Sequence, residues 1–247
     1  MVPRSGSTLA FSIAESLLGL ENSSREVFNY DYLVENYGLK KIHAAFNPSP
    51  QMYKNQVNLM RQVKETVKTT GDQIGVVKTN WVDFDRWLLT DPSDWAETIE
   101  FVFIDRLNCI RQAYSLLKAH ETGIWHKEAE RNEILKPSKR SAIRKFSIHE
   151  MNAALNELNF HRLGWLRYFA EKAITPCALT YEQLADDPVG VVKNVLNSLG
   201  VSWQDKSISI PLVRTATKSD ETRIKKFVEI FLKDNSERYI SNSSISK

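Results

Sequence analysis

Six residues near the start carry chemistry most directly: Pro3-Arg4-Ser5-Gly6-Ser7-Thr8, which run straight into an amphipathic stretch from Leu9. Gly6 lets the backbone turn tightly and come close to a ligand. The amides of Ser5 to Thr8 then point out of a helix N-terminus, where the macrodipole favours an anion. Ser5, Ser7 and Thr8 add hydroxyl donors and Arg4 adds a fixed charge, a set that suits a phosphate or a sulfate. The same residues also fit a plain turn with a Ser or Thr cap. A nucleoside-triphosphatase loop fits poorly. That motif places Lys directly after its second Gly and another Gly well ahead of it, and neither is present here. The histidines, at 43, 120, 126, 149 and 161, are scattered without HExxH or other paired ligand spacing, so no metal is expected.

Such a loop needs a frame. Apolar runs of strand length occur at Ile74 to Val77, Phe101 to Ile104 and Pro176 to Leu179. They are short and only weakly alternating, as strands buried on both faces of a parallel sheet are. Helical periods lie between them. Leu9, Ile13, Leu17 and Leu18 share a face, with Gly19 as C-cap. Ile110, Ala113, Tyr114 and Leu117 mark a second helix, and Met151, Leu155, Leu158, Trp165 and Phe169 a long third. Val189, Val192, Val195, Leu196 and Leu199 mark another, closed by Gly200. Ser219 is placed to N-cap a last helix burying Ile224, Phe227, Val228 and Phe231. Strands alternating with helices predict an α/β fold, a parallel sheet with helices on both faces. One domain over 1–240 is expected, with a polar, basic mobile loop at 127–147 and a disordered Ser/Asn-rich tail at 241–247.

Composition narrows the classes. The 247 residues are 42% hydrophobic, enough for a sizeable core and too many for wholesale disorder. A net charge of +3 is no nucleic-acid footprint, which needs basic residues clustered on one face. The basic run Lys136, Lys139, Arg140, Arg144 and Lys145 reads as a solvated loop, with an anionic acceptor or a headgroup as the alternative. No run of about 18 apolar residues exists, and the N-terminus lacks an apolar signal region, so no stable membrane insertion is expected. Cys109 and Cys177, both in segments that read as buried, fit a reducing cytoplasm rather than a disulfide framework.

Pro3-Arg4-Ser5-Gly6-Ser7-Thr8-Leu9 resembles the 5′-phosphosulfate loop of sulfotransferases that use 3′-phosphoadenosine 5′-phosphosulfate. Ile104-Asp105-Arg106-Leu107-Asn108-Cys109-Ile110-Arg111-Gln112-Ala113-Tyr114-Ser115-Leu116 resembles their 3′-phosphate site. Glu121-Thr122-Gly123-Ile124-Trp125-His126 is similar to a segment of the bacterial trehalose 2-sulfotransferase family. So are Gly75-Val76-Val77-Lys78-Thr79-Asn80-Trp81, Leu179-Thr180-Tyr181-Glu182-Gln183-Leu184, and the stretch from Asp187-Pro188 to Leu199-Gly200. The blocks fall in order over nearly the whole chain.

The resemblance implies that Arg4, Ser5, Gly6, Ser7 and Thr8 hold the 5′-phosphosulfate, with Arg4 also stabilising the leaving group. It implies that Arg106 and Ser115 hold the 3′-phosphate and that Tyr181 touches the adenine. It also implies Glu26 as general base, because Arg25-Glu26-Val27-Phe28 matches the family's Glu-x-Phe segment. Arg25, Glu26, Phe28 and His126 are then the acceptor contacts, with Glu35 and Glu15 as fallback bases. The segment Glu21-Asn22-Ser23-Ser24 departs from the family's small-residue turn. The acceptor is expected to be a carbohydrate or glycolipid and the assembly a homodimer. Sulfuryl carries less charge than a terminal phosphoryl group, so there is less for a metal clamp to neutralise.

Residue physics agrees. Arg106 follows a strand, at the carboxyl edge where α/β ligands bind, and a guanidinium grips phosphate with two donors. Taken alone it reads as well as a surface ion-pair partner, and Tyr181 as a core tyrosine. Arg111 faces solvent or a carboxylate by helical phase. Lys78, past a strand, either approaches the sulfate or lies along the surface. Trp81, Phe84, Trp87 and Trp95 either stack on a sugar or pack a core. A small-molecule kinase and a non-catalytic nucleotide-binding module are the rival readings. This fold also places a strand directly before the loop. Met1-Val2 is short for one, at about five residues, so the first strand is expected to be truncated.

Overall fold

Val102–Asp105 (β1) and Cys177–Thr180 (β2) pair in parallel, Val102 against Cys177 and Asp105 against Thr180. The computed structural model describes residues 2–20, 76–90, 99–123, 125, 145–205, 207–208 and 218–243. Val102, Phe103 and Ile104 of β1 are β-branched or aromatic, which suits a pleated surface. Pro176 has no N–H to give, so the ladder opens with Cys177 N–H donating to Phe101 O at 2.8 Å. Contacts divide the chain into two compact units, Met1–Leu107 with Phe160–Ile210, and Asn108–Asn159 with Pro211–Lys247.

In the first unit, neighbouring residues of β1 go to opposite faces. Val102 and Ile104 join a cluster with Ala10, Ile13, Ala14 and Leu17 of helix α1 (Ser7–Leu18). Leu179, Leu184, Val192, Val195 and Leu196 complete it. Phe101 and Phe103 join an aromatic cluster of Trp81, Phe84, Trp165, Tyr168 and Phe169. The small parallel sheet is therefore flanked by helices, as the apolar runs predict. Trp81 and Phe84 begin α2 (Trp81–Thr90) and are core residues rather than a sugar platform. The side chain of Trp87, and Trp95, lie outside the described residues.

Local signals end these helices where the sequence places them. Gly19 closes α1 at φ 67°, its N–H bonding the Glu15 and Ser16 carbonyls. The long helix α4 (Ile148–Glu171) packs its far half on α2 so closely that a Cβ on Gly164 would lie 2.3 Å from the Trp81 indole. Thr180 and Gln183 form a reciprocal capping box at the start of the short α5 (Tyr181–Asp186). Asp187 caps α6 (Pro188–Ser198), with Pro at its first position, and Gly200 ends it at φ 68°.

In the second unit, Asn108 caps α3 (Cys109–Thr122), its Oδ1 accepting from Arg111 N–H at 2.9 Å. Ala113, Tyr114, Leu116 and Ala119 are buried along that helix. The long α4 (Ile148–Glu171) starts in this unit and buries Met151 and Leu158 here. The last helix, α7 (Lys218–Ser243), buries Asp220, Ile224 and Phe227. Asp220 accepts from Tyr114 Oη at 3.1 Å and Lys118 Nζ at 2.9 Å. Arg111 forks onto Glu221, so it faces a carboxylate as its helical phase predicts.

Some expectations change. Cys109, in a segment that reads as buried, is exposed at the start of α3. Val76 and Val77 are outside any strand, while Ile74 and Gly75 lie outside the described residues. Burial runs against the apolar pattern there, with Val77 40% exposed and Lys78 only 7% exposed. The segment instead leads into α2, where the Asn80 side chain accepts from Asp83 N–H at 3.0 Å. Ser219 lies in the first turn of α7, one residue after Lys218. Of the loop 127–147, only residues 145–147 are described, and of the tail 241–247, only residues 241–243. Among the described residues, no helix is long and apolar enough to cross a membrane.

Candidate functional site

Parallel pairing brings the carboxyl ends of β1 and β2 side by side. Asp105 faces Thr180, so the next residues out of the ladder are Arg106 and Tyr181. The Arg106 guanidinium carbon lies 4.1 Å from the Tyr181 ring centroid, well inside the range of cation–π attraction. Neighbouring groups fix both ends of this contact. Asp105 accepts from Arg106 N–H at 2.8 Å and from Arg162 Nη2 at 2.9 Å, so Arg162 of α4 braces the end of β1. One residue on, Leu107 N–H donates to Glu182 Oε2 at 3.0 Å, fastening the loop after β1 to α5.

The opening turn reaches the same edge. Val2 is fully buried, and its N–H donates to Ile104 O at 3.3 Å, so the chain enters beside β1. Arg4 sits at φ 60° and Gly6 at φ 80°. Arg4 is in a region that non-glycine residues seldom occupy. Gly6 is the N-cap residue of α1 and brings no side chain to cap that helix start. A Cβ at Gly6 would meet Tyr181 Cδ2 at 2.9 Å, so position 6 needs glycine for its backbone angle and for this close approach.

Charge and hydroxyls gather around the turn. Burial holds the Arg4 guanidinium below its usual pKa, and the Arg106 charge pushes the same way. Two guanidiniums close enough to oppose one another make a site that an anion relieves. Lys78 is buried and donates to Thr8 Oγ1 at 3.0 Å, which settles it at the loop rather than along the surface. Ser5 is fully buried, and its Oγ has no hydrogen-bond partner among the described residues. Such an oxygen is costly to bury unless something pairs it. Ser7 is buried in the first turn of α1.

The structure thus brings together Arg4, Ser5, Gly6, Ser7, Thr8, Arg106 and Tyr181. Ser115 is half-buried on α3, in the other unit. Arg25, Glu26, Phe28 and His126 lie outside the described residues, as does Glu35. Glu15, the other fallback base, is buried on α1. Sequence reasoning missed the Asp105–Arg162 brace and the seating of Tyr181 on Gly6. Both join residues far apart in the chain, and neither has a local signal. Among the described residues, no group of three or more His, Cys, Asp or Glu side chains is placed to hold a metal ion.

A family model described as Stf0 sulphotransferase matches residues 94–229, more than half of the chain. The matched stretch contains β1, Arg106, Ser115, β2 and Tyr181, and the opening turn precedes it. No curated protein matches the chain.

Proposed function

The chain belongs to the Stf0 sulphotransferase family, and from that premise we propose that its sulfuryl donor is 3′-phosphoadenosine 5′-phosphosulfate and its acceptor a hydroxyl of a carbohydrate or glycolipid. The observation that carries the donor reading is that the turn holding Arg4 and Gly6 lies against Tyr181, whose ring centroid is 4.1 Å from the Arg106 guanidinium carbon at the same sheet edge. A nucleotide with anionic groups at both ends suits that pairing. Arg4, Ser5, Gly6, Ser7 and Thr8 take the 5′-phosphosulfate, and Arg106 takes the 3′-phosphate. The resemblance adds Ser115 to the 3′-phosphate and Tyr181 to the adenine.

In the reaction, the acceptor oxygen attacks sulfur in line with the departing phosphate. A new O–S bond forms, and the bond from sulfur to the bridging oxygen breaks. The electron pair stays on that oxygen, giving adenosine 3′,5′-bisphosphate. Arg4 and the first amides of α1 stabilise charge that exists only as this bond breaks, so they lower the barrier rather than merely tighten binding. Glu26 takes the hydroxyl proton, a role worth about 10²–10⁴-fold. Arg25, Phe28 and His126 contact the acceptor. The scheme asks for no metal, since the cations and amides of the loop face the developing charge. Residues 1–240 act as one catalytic domain, in a cytoplasmic homodimer.

Labelled-sulfate transfer to a panel of sugars and glycolipids tests the reading, with calorimetry beside it. Transfer to one acceptor class, and binding of adenosine 3′,5′-bisphosphate without Mg²⁺, are the expected results. Binding of adenosine triphosphate with Mg²⁺ and indifference to a 3′-phosphate would favour a kinase. Donor binding without turnover on any acceptor would leave a binding module.

A further inference from the structure

We propose that Tyr181 is a positioning residue that sets the spacing between the two cationic ends of the site, and with it the preference for an adenosine phosphorylated at both ends; this deepens the donor reading above and rests on it. The ring touches both ends. On one side it lies 4.1 Å, centroid to guanidinium carbon, from Arg106. Its Cδ2 also sits where a Cβ on Gly6 would come within 2.9 Å, against the turn that carries Arg4. The ring is therefore a spacer between the opening turn and the end of β1.

The spacer is itself held. Tyr181 is the first residue of α5, whose start is locked by the Thr180–Gln183 capping box. Its neighbour Glu182 accepts from Leu107 N–H at 3.0 Å, so the residues following Arg106 and Tyr181 are tied together. An arginine side chain has many rotamers, and a phosphate gains most from one already in place. A flat guanidinium resting on a fixed ring loses that freedom before any ligand arrives. In an adenosine bisphosphate the ribose sets the distance between the phosphates, so a fixed distance between cations selects for it. An adenosine with only a 5′-phosphate gains nothing from the spacing.

The experiment is calorimetry on the full chain with adenosine 3′,5′-bisphosphate and adenosine 5′-monophosphate. Wild type is expected to prefer the bisphosphate. Tyr181→Leu should lower the preference for the bisphosphate over the monophosphate about tenfold, the range of a partly desolvated cation–π contact, on top of the adenine contact that both ligands lose. Tyr181→Phe, which keeps the ring, should keep the wild-type ratio. In an Arg106→Ala background, Tyr181→Leu should change that preference little, because the two act as one unit. Equal loss of both affinities in Tyr181→Leu, with the ratio unchanged, would leave the ring as an adenine contact alone and overturn the proposal. Loss of the ratio in Tyr181→Phe would assign the effect to the hydroxyl and also overturn it. If wild type ignores the bisphosphate, the donor reading falls first and this proposal with it. Melting curves check each fold, and Tyr181→Gln replaces Tyr181→Leu in the same comparison if the leucine variant does not melt cooperatively.

Discussion

Ser5 buries its whole side chain, with no hydrogen-bond partner for Oγ among the described residues. Removing such a hydroxyl takes away a desolvation penalty without breaking a bond, so Ser5→Ala should leave thermal stability unchanged or slightly raised. Adenosine 3′,5′-bisphosphate should bind it more weakly, by about tenfold for one lost bond to a charged group. A drop in melting temperature with unchanged affinity would make Ser5 a purely structural residue. Roles at this scale also separate chemistry from binding. Glu26→Gln should keep bisphosphate affinity and lose about 10²–10⁴ in transfer rate, whereas Arg106→Ala should lose affinity. Normal turnover of Glu26→Gln would remove it as the base. The motif residues were legible in the sequence because Gly, Ser, Thr and Arg at a helix start carry their own physics. The left-handed Arg4 and the buried Lys78 were not, since both depend on what packs around the turn.

Elements explain why the turn stays put. α1 runs from the turn into a cluster with Leu179, Leu184, Val192, Val195 and Leu196, and Leu17 is fully buried. α4 and α2 grip the other face of the sheet through Trp81, Phe84 and Trp165. Gly164 is part of that grip. In most exposed helices Gly→Ala stabilises by about 1 kcal/mol. Here the added methyl would strike a buried indole, so Gly164→Ala should destabilise by about 1–3 kcal/mol, read as a lower midpoint in urea. A stabilised variant would mean that Trp81 moves aside freely. α1, α3, α4, α6 and α7 were readable from period and caps: Gly19, Asn108, Asp187 and Gly200 each work within a few residues. Val76 and Val77 were misread as strand because an apolar run does not reveal whether it has a ladder partner.

At the scale of the molecule, stability should follow pH through His161, which is 6% exposed on α4, its Nδ1 lacking a partner among the described residues. Burial pushes its pKa down from 6.5 to about 4. The unfolded chain takes up the proton near 6.5, and the folded chain only near 4. Stability is therefore complete above about 6.5 and is lost as the pH falls from there toward 4, by on the order of 3 kcal/mol. Urea midpoints at neutral and mildly acidic pH should show this for wild type and a flatter profile for His161→Leu. Equal profiles would remove His161 as the cause. Ligand linkage is the second global signature. Adenosine 3′,5′-bisphosphate at about one hundred times its Kd should stabilise the fold by about 2.7 kcal/mol, and adenosine triphosphate should not match it at equal concentration.

By itself the sequence determined α1, α3, α4, α6 and α7, the Gly19 and Gly200 stops, two short parallel strands and a loop whose residue types suit an anion, because these depend on interactions spanning a few neighbours. Only the tertiary structure decided that Arg4, Lys78, Arg106 and Tyr181 share one edge. They are far apart in the chain, and they meet because the register of β1 on β2, and the entry of Val2 beside Ile104, carry them there. Register is a property of paired backbones and packed faces, which no single segment encodes.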